Sequence, residues 1–284
     1  MKKILIIGST GYLGTYLVRE AKRQGYWVRA LARNPHKLDS VKDSIDDLFV
    51  GEVTKPDTLA GVCDDIDVVM SALGIASSRT SEKIPLEDVD YQGNKNILVC
   101  ALSASVKKFL FVSFITTPEF QHLEITRIKR MFERDLIGSG LDYCIIRPTA
   151  FFADMKEFFA FAKKGTVYLL GHGNYRVNAI HGADLAKFCV EAIESEESDL
   201  PIGGPEIHTY REAAGCAFKI LGKTPRIKTL PGGLPKILLT LMRPFLSKRK
   251  YTSLQFLIHA MQSDAVAPLY GTHTLESFFR ELNQ

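Results

Sequence analysis

The chain reads as an α/β protein built on a doubly wound parallel sheet, and three observations carry that reading. The apolar run Ile4-Leu5-Ile6-Ile7 passes directly into Gly8-Ser9-Thr10-Gly11-Tyr12-Leu13-Gly14 and from there into a helical pattern. Strand-like and helix-like segments then alternate as far as Pro148, which predicts βα units paired in parallel. After Pro148 the alternation breaks into shorter segments, which predicts a smaller C-terminal α+β lobe.

The elements follow in order. A strand over 2–7 precedes a helix near 12–24 whose apolar face carries Leu13, Leu17, Val18 and Ala21, and Gly25 ends it. A second strand is expected at 27–31, a third at 48–50, a helix near 57–63 and a fourth strand at 67–72. A long helix over roughly 86–105 leads to a fifth strand at 108–113. A helix over 122–139 stops at Gly138-Ser139-Gly140, and a sixth strand runs over 141–147. Pro148 cannot donate to a ladder and marks the end of that strand. Beyond it, short strands are expected at 167–170, 175–180 and 202, with helices near 183–194, 209–221 and 234–246. The pattern divides the chain into a nucleotide-binding domain over 1–150 and a substrate lobe over 151–284, partly threaded back onto the first. No linker, repeat or low-complexity tract appears.

With 284 residues, 46% of them hydrophobic and 24% charged, the chain has room for one large α/β domain or one and a half. A net charge of +4 with scattered Lys and Arg argues against nucleic acid as a partner. Cys63, Cys100, Cys144, Cys189 and Cys216 are odd in number, far apart and without CxxC or Cys/His spacing. They read as buried reduced thiols of a cytoplasmic protein with no metal. The apolar run after Met1-Lys2-Lys3 stops at Gly8, short of the roughly 7–15 residues of a signal-peptide core. Nowhere does an apolar run approach the ~18 residues of a membrane span.

The glycine turn carries the chemistry. A buried strand feeding Gly8, Gly11 and Gly14 at the mouth of a helix is a device for holding a dinucleotide pyrophosphate. Gly8 allows the tight turn, Gly11 lets the backbone approach the phosphates, and Gly14 lets helix and strand pack closely. Thr10, Tyr12 and Leu13 complete the turn. The helix N-terminus offers free N–H groups and about half a positive charge. A plain β–α turn would not need three glycines.

The second strand ends Leu31-Ala32-Arg33-Asn34-Pro35-His36-Lys37. An NAD site commonly puts a carboxylate there for the ribose 2′-hydroxyl, whereas a 2′-phosphate wants an Arg. Arg33 stands where the acid would be, with Lys37 as a second cation. Its planar fork suits a phosphate, so NADP(H) is the expected cofactor; a solvated strand-end charge is the competing reading. By topology, Gly51-Glu52-Val53 would bound an adenine, and Ala72-Leu73-Gly74, ending the fourth strand, would lie along the cofactor path.

Further segments sharpen the picture. Arg33-Asn34-Pro35, Gly51-Glu52-Val53, Val89-Asp90-Tyr91-Gln92-Gly93-Asn94, Lys107-Lys108-Phe109, and Ser139-Gly140-Leu141-Asp142-Tyr143 with Ile146-Arg147-Pro148 occur in that order after Gly8–Gly14. Together they resemble the atypical short-chain dehydrogenase/reductase group. That group includes NmrA-like proteins, isoflavone-reductase-like enzymes and divinyl chlorophyllide 8-vinyl reductases. Phe151-Phe152-Ala153-Asp154-Met155, Asn178-Ala179-Ile180-His181, Asp184-Leu185-Ala186 and Gly203-Gly204-Pro205-Glu206 extend the resemblance into the second half. It implies a Rossmann fold and NAD(P) binding. Members with the usual chemistry carry a Ser at the end of the fifth strand and a Tyr-x-x-x-Lys on the next helix. Ser113 and Lys129 match two of these, but Ile125 stands at the Tyr position and cannot relay a proton. The reductases named often lack that Tyr and keep a lysine in this region. The resemblance therefore implies Lys129 as the residue that binds the nicotinamide ribose or donates a proton, with Pro148 and Thr149 beside the nicotinamide. Lys129 also suits a solvated helix face with Glu133 as its i,i+4 partner.

His181 is either an acid/base or, preferably, a structural histidine ahead of Asp184. Phe151, Phe152, Phe158, Phe159 and Phe161 read as core or as the floor of an apolar pocket. The apolar stretch 234–246 followed by Ser247-Lys248-Arg249-Lys250 suits a lid or subunit contact, with a membrane surface as the alternative. The expected function is an NADPH-dependent reductase of a C=C or C=O bond in a small to medium apolar substrate. The alternatives are a non-catalytic NADP(H)-binding regulator or assembly subunit of NmrA-like type and, more weakly, a sugar-nucleotide epimerase. The sequence is silent on oligomeric state.

Overall fold

The structure is a computed structural model that describes residues 1–74 and 84–284. In chain order its elements are β1 (Lys3–Ile7), α1 (Tyr12–Arg23), β2 (Trp27–Ala32), β3 (Asp47–Val50), β4 (Val68–Ser71), α2 (Asn94–Ser103), β5 (Lys108–Val112), α3 (Glu124–Ile137) and β6 (Asp142–Pro148). There follow α4 (Phe152–Lys163), β7 (Val167–Leu170), β8 (Arg176–Val177), α5 (Gly182–Glu191), β9 (Asp199–Ile202), β10 (His208–Thr209) and α6 (Tyr210–Ile220). Last come β11 (Ile227–Leu230), α7 (Leu234–Met242), α8 (Lys248–Ala260) and α9 (Leu275–Glu281).

Seven strands form one sheet in the order β3-β2-β1-β4-β5-β6-β9, and the five ladders from β3 to β6 are parallel. The order makes this a Rossmann-like α/β fold. Ile4–Ile7 of β1 are fully buried, as expected of a parallel strand covered on both faces. Strand order reverses between β1 and β4, so the carboxyl ends of these two strands diverge into a crevice, where ligands bind in open α/β sheets.

The chain forms two compact units. The first comprises Met1–Ser113, Arg127–Arg147 and Leu185–Leu200, the second Phe114–Thr126, Pro148–Asp184 and Pro201–Gln284. The core of the first gathers Leu5, Ile7, Val69, Phe109, Phe111 and Phe132. That of the second is aromatic, with Phe152, Phe159, Tyr210, Phe218, Phe278 and Phe279 packed together.

Several local expectations give way to the structure. The helix expected over 57–63 is only a 3-10 turn, Pro56–Leu59, because Gly61 takes a φ of +79° and breaks it. The helix expected from 86 begins as a π-turn, Asp88–Gly93, before α2; insertions of this kind often mark functional sites. The strand expected over 175–180 keeps only Arg176 and Val177, since Asn178 N–H donates to Ala265 and Ile180 N–H to Ala150. Helices α4, α8 and α9 are elements that the sequence pattern did not bring out. Phe152, Phe158 and Phe159 belong to the core, Phe151 is half-buried and Phe161 is exposed. No helix among the described residues is long and apolar enough to cross a membrane.

Candidate functional site

The crevice at the strand-order reversal is a cleft of ≈ 760 Å³, its open mouth included. The glycine turn forms one wall. Gly8 has a φ of +78°, in the left-handed region that favours glycine. A Cβ there would lie 2.7 Å from the Ala72 carbonyl oxygen, and one on Gly14 would lie 2.0 Å from the Gly8 oxygen. Gly11 N–H donates to Gly8 O at 2.9 Å, closing the turn. The buried Ser9 hydroxyl anchors it to β2 by donating to Leu31 O at 2.7 Å. Gly11 caps α1 without a side-chain hydrogen bond, and the first turn of α1 holds no acid. The cradle leaves backbone N–H groups and the positive end of the helix facing an anion, so these residues fit a pyrophosphate.

Gly8, Thr10, Gly11, Arg33, Glu52 and Val53 line the cleft, as do Ala72, Leu73 and Gly74. Tyr12, Leu13 and Gly14 sit in the first turn of α1, with Leu13 and Gly14 buried as packing residues. Arg33 is half-exposed at the end of β2, 4.0 Å from Glu52 Oε1. Lys55, 2.8 Å from Glu52, holds that carboxyl below its usual range, with help from Thr54 and Arg33. Lys37 lies exposed on the 3-10 turn that follows β2. Thr54 and Val89 also line the cleft. The sequence assigned neither to the cleft: Thr54 lies outside every quoted segment, and Val89 stood only in a segment that carries the resemblance.

Beneath Leu73-Gly74 lies the lysine. Lys129 is 7% exposed. Its Nζ donates to Leu73 O at 3.2 Å, stands 3.3 Å from Asp90 Oδ1 and lies 4.9 Å from the Phe111 ring centroid. A Cβ on Gly74 would come within 3.2 Å of the ammonium. Lys129 is thus not on a solvated face, and the carboxylate beside it is Asp90, not Glu133. The π-turn explains Asp90: Asn94 Nδ2 donates to Asp90 O at 2.8 Å, while Asn94 Oδ1 accepts from Ser71 at 2.6 Å.

Glu133 has other partners. It accepts from the Ser113 hydroxyl at 2.5 Å and takes both arms of Arg147 at 2.9 and 3.0 Å. Arg147 Nε donates to Asp199 at 2.7 Å. Burial opposes the Arg147 charge, but the bonds to Asp199 and Glu133 hold its pKa above the ordinary value. Bidentate Arg–carboxylate pairs of this kind fix geometry. The Ser113 hydroxyl is therefore turned into a braced ionic network. Asp90, Glu133 and Arg147 were not singled out as site residues by the sequence, because each partner lies far along the chain.

Pro148 closes β6. Thr149, in the second unit, donates from its hydroxyl to Asn178 O at 2.7 Å. Also in that unit, the buried His181 stacks on His273 at 4.2 Å between ring centroids, and its Nδ1 accepts from Ala183 N–H. Burial first, then His273, pushes the His181 pKa down. His273 is held by Asp184 at 2.8 Å. This is a packed histidine pair. A cavity beside Phe152, Met155 and His208 has room of ≈ 10 Å³ for a water-sized sphere, about one water. The five cysteines are free thiols, with Cys63, Cys144 and Cys189 buried and Cys100 and Cys216 half-buried. Burial pushes Cys63 up to about 12 and Cys144 to about 11.

Residues 8–196 match the family described as NAD(P)H-binding. Photosystem II assembly factor Ycf39 of Synechocystis sp. is 26% identical, over 98% of this chain and 90% of that protein. Divinyl chlorophyllide a 8-vinyl-reductase of Cucumis sativus is 31% identical, over 98% of this chain and 75% of the relative. Among solved structures, NADPH-dependent quinone oxidoreductase QOR2 of Escherichia coli, complexed with NADPH, shares the fold. It superposes with a TM-score of 0.77 at 17% identity, over 99% of this chain and 100% of that one. Cradle, strand order and matches agree: the chain belongs to the NAD(P)H-binding family.

Proposed function

We propose that the chain is an NADPH-dependent reductase acting on a C=C or C=O bond of a small to medium apolar substrate. The observation that carries this reading is the buried Lys129 ammonium, held by Leu73 O and Asp90 directly behind the cleft wall. In this reading Gly8, Thr10, Gly11 and the first turn of α1 hold the pyrophosphate, and Arg33 takes the 2′-phosphate. Glu52 and Val53 bound the adenine, while Ala72, Leu73 and Gly74 run along the dinucleotide. Bound there, the cofactor supplies hydride. Lys129 steadies the nicotinamide ribose or holds, at Nζ, the proton that the substrate needs, and Asp90 acts as its positioning residue. Ser113 would take part in catalysis only by exchanging Glu133 for substrate.

A second reading, a non-catalytic NADP(H)-binding assembly subunit, is favoured by two observations. Ile125 stands four residues before Lys129, and the Ser113 proton is committed to Glu133. The similarity to Ycf39, itself described as an assembly factor, supports it too. NADPH oxidation by the purified protein in fractionated host extract separates the two, run beside Lys129→Ala and a no-protein control. Oxidation confined to one fraction and lost in the variant is the result expected of a reductase. Tight NADPH binding with no oxidation in any fraction would replace that reading with the second.

A further inference from the structure

An apolar face lies open on α7 and α8. Leu234, Ile237, Leu238, Leu241, Met242 and Phe245 recur at helical spacing, and all are exposed: Ile237 by 60%, Leu241 by 67% and Phe245 by 87%. Leu239, on the other side of α7, is buried at 6%. Leu254 and Leu257 of α8 add two more exposed leucines. A stripe this wide on the outside of a folded chain marks a surface made to be covered.

Charge says what covers it. From residue 213 to residue 263 the sequence holds no Asp or Glu but nine Lys and Arg. Lys236, Arg243, Lys248 and Lys250 are exposed along α7, the turn after it and the start of α8. Two carboxylates from the segment before and at the start of α3 face this group: Glu124 pairs with Lys248 at 2.7 Å, and Glu119 lies near Lys236 and His259. Cations still outnumber acids on the rim. A second copy of the chain is a poor cover, because a two-fold contact sets like against like and would bring these cations together. An anionic bilayer surface supplies both complements, acyl chains for the leucines and headgroup charge for the rim. At nine residues α7 is about 13.5 Å long, too short to cross a bilayer and suited to lying in its interface.

We propose that the α7–α8 face docks the chain peripherally on an anionic lipid bilayer, with the stripe from Leu234 to Phe245 in the acyl boundary. The test is flotation of the full chain with phosphatidylcholine vesicles, with and without phosphatidylglycerol, at low and high salt. The wild-type chain should float with the anionic vesicles, remain behind with phosphatidylcholine alone and be released by salt. The triple variant Ile237→Gln, Leu241→Gln, Phe245→Gln should lose about tenfold or more in partitioning. The pair Arg243→Gln, Lys250→Gln should weaken binding to the anionic vesicles only. NADPH binding by each variant, measured by fluorescence, reports that it is folded. Equal partitioning of wild type and triple variant would overturn the proposal, as would equal binding to both vesicle types. So would an absence of flotation accompanied by a dimer that the triple variant abolishes, which would assign the face to a second copy.

Discussion

Removing Lys129 should destabilise the protein before it can be read as a loss of chemistry, and the structure allows the size of the effect to be worked out. The ammonium stands 3.3 Å from Asp90 Oδ1, with side-chain exposures of 9% and 1%. At an effective dielectric of about 20, two unit charges at that distance attract by about 5 kcal/mol. Desolvation offsets part of this when the pair forms. Taking away one partner leaves the other charge buried, at a cost of about 3–5 kcal/mol. For a chain of this size that corresponds to a fall in Tm of about 6–20 °C. Lys129→Met keeps the volume of the side chain and removes the charge. Asp90→Asn removes the other charge, and the double variant removes both. Urea unfolding followed by circular dichroism should show the double variant more stable than the two single losses sum to, by about 2 kcal/mol or more. Additivity within about 0.5 kcal/mol, or a Lys129→Met protein as stable as wild type, would refute the buried-pair argument. A folded double variant is also the sharper control for NADPH oxidation, because its inactivity would speak to the site and not to the fold.

Two further outcomes follow from the same geometry. Arg33→Glu should lower the NADPH-to-NADH affinity ratio by about 10–100-fold, the worth of a charge-assisted phosphate contact, since it sets a second carboxylate beside Glu52; an unchanged ratio in binding titrations would end the 2′-phosphate assignment. The depressed pKa of His181 makes stability depend on acid: above the ordinary His value near 6.5 the residue is neutral in both states, and below it the unfolded chain binds the proton first. Stability should therefore fall as pH drops from 7 toward 5, and His181→Gln should flatten the decline by up to about 1.4 kcal/mol per pH unit. Identical slopes in both proteins would rule His181 out as a source.

What the sequence determined by itself is the part of the protein governed by local backbone demands. A strand of Ile and Leu followed by Gly8, Gly11 and Gly14 has few ways to turn into a helix, because a Cβ at Gly8 or Gly14 would strike neighbouring backbone. The alternation up to Pro148 was legible for the same reason, as was the place of Arg33 at a strand end. The tertiary structure decided which charges meet. Lys129 could pair with Glu133 one helical turn away, yet packing of α3 against β5, with Phe132 on Phe109 and Phe111, and the π-turn bring it Asp90. That choice leaves Glu133 to Ser113 and Arg147. It also decided the second half, where α4 and α9 close on one aromatic core and α8 sets Phe256 against Phe114 and Phe120. Likewise it left the stripe of α7 outside, because hydrophobic spacing in a sequence states that a face exists but not whether the chain has anything to bury it against.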